Sequence, residues 1–326
     1  MKPSLHVALL VTLGCGEKTE DMHQVSNLTS FEDNSGSACE AEPVAAFGWE
    51  DGHAEVSAIA IDGDTLYAFV RSYVDQTSYL QVLDISEPGH IALTGRVDLP
   101  QIPWIESAEL HEGVLYGSFQ QRGTRVVSVD IGSPTAPVLL GEDTDDSLFS
   151  GDLAYGDQVL SSRRFPPEAC AIEVYEDGAL DQELVTDSCL SAGLSQNAAG
   201  VAAIGFDGDG EPRLAQLALA DGAWELVKEV SLAHAKMEQL DKIRGYRHGA
   251  LVIGGNGFRH GVAAWDGTDE VFTWFTGQAF VEDMALSEHH AWVTLQRESG
   301  AFAGVLALDF SACIPENPGI VLEVSR

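Results

Sequence analysis

The run Gly205-Phe206-Asp207-Gly208-Asp209-Gly210-Glu211-Pro212 places acidic residues two positions apart in a glycine-rich turn. Carboxylates spaced by glycines can converge as hard oxygen donors, the ligand type that calcium prefers. Asp207 and Asp209 are therefore the metal candidates; the sequence calls for no cofactor, and calcium is the one ion these residues could take. Arg213 supplies a cation where a further acidic ligand is wanted, so the segment also reads as a plain acidic turn between two strands.

The ten histidines offer no ligand pair. Arg247-His248-Gly249 and Arg259-His260-Gly261 bracket an expected hairpin, which holds the two imidazoles about 15 Å apart at a strand rise of roughly 3.3 Å per residue. Gly254-Gly255-Asn256-Gly257 has no following helix to help bind a phosphate and reads as a hairpin turn. No G-x-S-x-G nucleophile elbow is present, and no catalytic residue is selected.

The amino terminus carries a different chemistry. Residues 1–15, MKPSLHVALLVTLGC, have one Lys and a short apolar stretch ending in a small residue before Cys15. The stretch is too short to span a bilayer, which takes about 20 residues, and has the form of a secretory signal. Residues 16–43 are polar, acidic and poor in large apolar groups, so they are expected to form a flexible tether.

Residues 44–326 must then hold the folded domain. With 17 Lys+Arg against 51 Asp+Glu, the net charge of −34 disfavours nucleic acid and anionic membrane surfaces as partners. Hydrophobic residues at 45% are enough for a core.

Short apolar alternations mark strands: Ile59 with Ile61, Leu66 with Ala68 and Val70, Leu80 with Val82, and Leu93 with Val97. The unit recurs. LQVLDISEPGHIALTG and VVSVDIGSPTAPVLLG correspond almost position by position, Asp84 matching Asp130 and Ile85 matching Ile131. Fainter copies continue to the end, giving six four-stranded units at a spacing of roughly 43 to 51 residues. That period implies an all-β fold, a β-propeller of six four-stranded blades. Seven blades is the alternative, because PVAAFGWE (residues 43–50) and GIVLEVSR (residues 319–326) each have the form of a closing strand.

Two resemblances follow from these residues. The segments YLQVLDISEPGHIALTG and TRVVSVDIGSPTAPVLLG resemble LVIVD repeats of bacterial and archaeal surface proteins, and TLGC resembles a bacterial lipoprotein signal in which Cys15 is lipidated. Together they imply an exported propeller held at the bacterial cell envelope, on the outer membrane or cell surface, touching membrane through its lipid anchor alone. The Asp207–Asp209 turn also resembles the calcium loop of FG-GAP repeats, with Arg213 as the departure.

With Cys15 set aside, four cysteines remain. Cys39 precedes the closing strand and Cys313 follows the last apolar strand, so a Cys39–Cys313 bridge would clip the ring shut. Cys170 and Cys189 are expected to bridge within a hairpin of the third unit, contributing roughly 3 kcal/mol. Aligning the first strand of each unit places Ser57, Glu106, Ser150, Lys242 and Asp283 in register around the axis. Glu106, Lys242 and Asp283 thus form the candidate channel site, with Glu282 adjacent.

The sequence points to a monomeric, non-catalytic binding module for a protein or small-molecule partner at the cell surface. A lactonase-like propeller hydrolase with a channel-bound calcium is the alternative, and a structural envelope component the third reading.

Overall fold

The computed structural model describes residues 42–314 apart from 49–53, 73–76, 88–89, 100–101, 103, 112, 121–123, 144–151, 156–157, 166–168, 177–178, 234–236, 257–259, 268–270, 276–278, 289, 298–302 and 311–313. The expected signal, residues 16–41 of the expected tether, Cys39, Cys313 and Ser150 lie outside the described residues.

Strand β1 (Glu42–Gly48) comes first. The first sheet holds β2 (Ala54–Asp62), β3 (Thr65–Ser72), β4 (Ser78–Asp84) and β5 (Ala92–Leu99). The second holds β6 (Ser107–His111), β7 (Val114–Gln120), β8 (Thr124–Asp130) and β9 (Val138–Asp143). The third holds β10 (Asp152–Tyr155), β11 (Gln158–Phe165), β12 (Ala169–Glu176) and β13 (Ala179–Val185). The fourth holds β14 (Cys189–Asn197), β15 (Gly200–Phe206), β16 (Pro212–Ala220) and β17 (Ala223–Ser231). The fifth holds β18 (Gln239–Tyr246), β19 (Gly249–Gly255), β20 (His260–Trp265) and β21 (Val271–Phe275). The sixth has β22 (Ala279–Leu286), β23 (Ala291–Arg297) and β24 (Ala303–Asp309). In each of the first five sheets the strands follow chain order, antiparallel throughout.

The sixth sheet takes its fourth strand from the other end of the chain. β1 pairs antiparallel with β24, from Glu42 opposite Asp309 to Gly48 opposite Gly304. The segment read from the sequence as a closing strand therefore closes a sheet, and it begins two residues earlier than the expected domain boundary. Hydrogen bonds that would otherwise be missing along an exposed edge are made instead between the chain's beginning and end.

The repeated Asp has a structural use. Asp84 Oδ1 accepts the Ser86 amide at 2.9 Å, and Asp130 Oδ1 accepts the Gly132 amide at 2.9 Å. Each carboxylate thereby caps a turn from its own chain, which is what short Asp side chains do well. The following Ile85 and Ile131 are buried, and their amides bond Asp64 O and Gly113 O in the turn before. The motif fixes a hairpin corner.

Apolar clusters fill the gaps between consecutive sheets: the first with the second, the third with the fourth, the fourth with the fifth, the fifth with the sixth, and the sixth with the first. In the last of these Trp292, Val305 and Ala307 pack on Val56, Ile59 and Ala68. Burying side chains of this size contributes about 1.5 to 3 kcal/mol each. Where neighbouring sheets cover both faces, strands such as β2 and β19 do not alternate. Residues 54–60 of β2 and 249–255 of β19 are buried without a break, the pattern of a strand packed on two sides. Outer strands such as β5 and β13 keep partly exposed residues, among them Leu93 and Val185.

Candidate functional site

Four inner strands break register at corresponding places. β2 does so between Val56 and Ala58, β14 between Cys189 and Gly193, β18 between Leu240 and Lys242, and β22 between Val281 and Met284. A bulge inserts a residue, bends the strand and re-aims its side chains. The residues so displaced are Ser57 in β2, Asp241 in β18, and Glu282 with Asp283 in β22. At β6 the Glu106 amide bonds Ser118 O, the residue whose register partner is Ser107.

These distortions bring three expected site residues together. Lys242 Nζ lies 2.9 Å from Asp283 Oδ1 and donates to the Glu106 carbonyl at 2.9 Å. The lysine of the fifth sheet thus links the sixth sheet to the second. Asp283 is fully buried. Its Oδ2 accepts the Ile59 amide at 2.9 Å, while Arg244 stands 3.8 Å from Oδ1. The Lys242 ammonium approaches Oδ1 off the hydrogen-bonding direction, so that contact is an ion pair only. The Asp283 amide bonds Thr294 Oγ1 at 2.8 Å, holding the bulge in place. Glu106 enters through its backbone oxygen rather than its carboxylate.

Further carboxylates surround this lock. Glu55 is 3% exposed, and its Oε2 has no hydrogen-bond partner. Burial first, and then the nearby Glu282 carboxylate, push its pKa up to about 7, against the attraction of Arg71. Burial also raises Glu282, Asp241 and Glu109, with Lys242, His260 and Arg244 respectively opposing it. The sequence alignment on the inner strands picks up Glu282 but gives no hint of Glu55, which lies two residues before the aligned Ser57, or of Asp241, which the β18 bulge displaces.

The Asp207–Asp209 turn has a different chemistry. Asp207 Oδ2 takes two donors from Arg213, at 2.9 and 2.6 Å, and Oδ1 accepts the Asp209 and Glu211 amides at 3.0 and 2.9 Å. The guanidinium bonds above all, then the Glu211 amide, hold its pKa below the usual Asp range. The Asp207 oxygens needed for a cation already face Arg213 and the turn's own amides. Among the described residues, no three His, Cys, Asp or Glu groups are placed to hold a metal. Asp209 instead borders a cleft of about 510 Å³ between the fourth and fifth sheets, with Glu211, Met237 and Glu238.

Two other readings change on the structure. Cys170 and Cys189 are bonded, but not within one hairpin: Cys170 lies on β12 and Cys189 opens β14, so the bridge ties the third sheet to the inner strand of the fourth. His260 opens β20 rather than lying in a turn. Its side chain is 16% exposed, sits edge-on to Phe280 with ring centroids 4.4 Å apart, and lies 3.8 Å from Asp241 Oδ2.

Successive antiparallel four-stranded sheets, five neighbouring pairs of them joined by apolar clusters among the described residues and the last closed by the chain's own first strand, define a β-propeller. Within it, residues 53–99 match the LVIVD repeat. That match covers the first sheet and its closing turn, where the Asp84 corner sits.

Similar solved structures include the β-propeller domain of the trilobed protease from Pyrococcus furiosus, 12% identical over 78% of this chain and 95% of that one, TM-score 0.47. The PQQ-bound aldose sugar dehydrogenase of Streptomyces coelicolor is 13% identical over 82% and 96%, TM-score 0.43. Sqt1 of Saccharomyces cerevisiae is 12% identical over 83% and 99%, TM-score 0.43. Enzymes and non-enzymes share this likeness, which says nothing of activity here. No curated protein sequence matches the chain.

Proposed function

We propose that this protein is an exported, lipid-anchored β-propeller of the bacterial cell envelope that acts as a non-catalytic binding module. One observation carries the non-catalytic part. The axial position where a propeller hydrolase reading wants a metal is filled by the protein's own cation, Lys242, set between the Glu106 carbonyl and Asp283. Asp283 has both oxygens engaged, by the Ile59 amide and by Lys242, so its charge is spent on joining sheets. The Cys170–Cys189 bridge supports export, since disulfides persist in oxidising compartments. Cys15 is the residue the anchor would use.

The reading is tested on the purified mature protein by calorimetry with millimolar calcium or chelator, beside a panel of lactones and esters. An unchanged melting temperature and no hydrolysis support it. Calcium-dependent stabilisation that disappears in Asp283→Asn, together with lactone turnover, overturns it in favour of the hydrolase. For the anchor, Cys15→Ser is expected to abolish lipid labelling and release the protein from the membrane fraction. Retention of both would remove Cys15 from the account.

A further inference from the structure

The inner strand of each sheet follows an outer strand of the sheet before it, so the inner strands all start at the same end of the ring. Glu55, Asp241 and Glu282 are the second, third and fourth residues of β2, β18 and β22. They therefore gather at one end of the axis, beside the Lys242–Asp283 lock.

The cations near these carboxylates are Lys242, Arg244, His260 and Arg71, and each already has a partner of its own. Lys242 is held by Asp283 and the Glu106 carbonyl. Arg244 is bonded to the Met284 and Ile243 carbonyls, at 3.1 and 3.4 Å. His260 packs on Phe280 beside Asp241. Arg71, opposite Glu55 in the β2–β3 ladder, attracts its carboxylate without bonding Oε2. The buried Glu55 Oε2 is left without a donor, a costly state for a polar atom shut away from water.

We propose that this end of the channel binds an organic cation carrying N–H groups, a primary alkylammonium, which donates to Glu55 Oε2 with Glu282 and Asp241 as flanking counter-charges. An ammonium suits the site better than a metal ion because its three donors can serve separated acceptors. A metal needs ligands that converge, and the described residues offer no such group. The inference rests on the reading of the protein as a binding module and names the chemistry of the ligand.

Titration calorimetry of the full mature chain with n-butylammonium, at constant ionic strength, tests it. Binding is expected to strengthen as pH rises through about 7, where Glu55 ionises. Tetramethylammonium has the same charge and no N–H, and is expected to bind at least about ten-fold more weakly. Glu55→Gln and Glu282→Gln are each expected to weaken butylammonium by about ten-fold or more, while Asp98→Asn on exposed β5 leaves it unchanged.

Equal binding of the two cations would mean bulk attraction to an acidic protein and overturns the proposal. So does undiminished binding in both glutamine variants. Calcium binding lost in the same variants would assign this end of the channel to a metal, and also overturns it. If butylammonium does not bind at all while calcium and lactones remain without effect, the ligand class falls and the binding-module reading stands.

Discussion

Asp207 and Glu55 are both carboxylates in a protein crowded with them, and their environments oppose each other. Asp207 sits in a turn with four donors on its two oxygens, chiefly from Arg213, and its proton affinity is lowered. Glu55 is buried near the ring axis with one oxygen bare, and its proton affinity is raised. The acidic turn looks like a ligand site in the sequence and is internally satisfied. The inner-strand glutamate has no motif around it and is left unsatisfied. Density of acidic residues alone does not mark a site; how far each carboxylate is already satisfied has to be read with it.

Substitutions sharpen this contrast, the axial ones having the largest effects. Asp283→Ala removes the counter-charge of Lys242 and the acceptor of the Ile59 amide, and is expected to cost about 3 to 5 kcal/mol in urea unfolding. A loss below about 1 kcal/mol would show that the lock does not hold the sheets together.

Glu55→Gln acts on the pH profile. The folded pKa of about 7 lies above the ordinary value of 4.5. Whatever stability Glu55 contributes is therefore complete below the ordinary value and is lost as pH rises through about 7. Above that pH the wild type carries a penalty of about 2 to 3 kcal/mol that the glutamine variant lacks. Parallel stability profiles of the two proteins between pH 4 and 8, measured by calorimetry, would contradict this.

The turn behaves in the opposite sense. Asp207 has a lowered pKa, so its contribution is present above the ordinary Asp range and is lost as pH falls through the folded value. Asp207→Asn is expected to be less stable than wild type at neutral pH, with the gap narrowing in acid. Smallest of all, Asp209→Asn is expected to change unfolding by less than about 0.5 kcal/mol, because the turn uses the Asp209 amide rather than its carboxylate. A larger loss would mean that the turn depends on that second charge.

Much of the architecture is legible from residues 78–143 alone. The paired VLDIS and SVDIG corners repeat because each needs an Asp to cap the turn and an Ile to fill the space beneath, and a repeated unit of four strands has few closed arrangements open to it. The closing strand is legible for the same reason: PVAAFGWE has the form of an outer strand without a sheet. The bridge between Cys170 and Cys189 follows from the cysteine count together with the repeat assignment, yet its course from one sheet to the next does not, since hairpin neighbours and strands of adjacent sheets both satisfy the spacing a disulfide needs.

The axial site was half visible. Register alignment selects Lys242 and Asp283 because one residue of each inner strand must fall at each level of the axis. It cannot anticipate that Glu106 contributes a carbonyl, nor that Glu55 and Asp241 join the group.

Local chemistry, written in short stretches of chain, was enough to specify the strands, their corners, the repeat and the excess of negative charge. Which of the axial carboxylates are paired and which are left short of donors was decided only when strands far apart in the chain were brought to one level of the ring. The reason is physical: hydrogen-bonding capacity belongs to a three-dimensional neighbourhood, and the shift of a single residue in register changes which atoms share it.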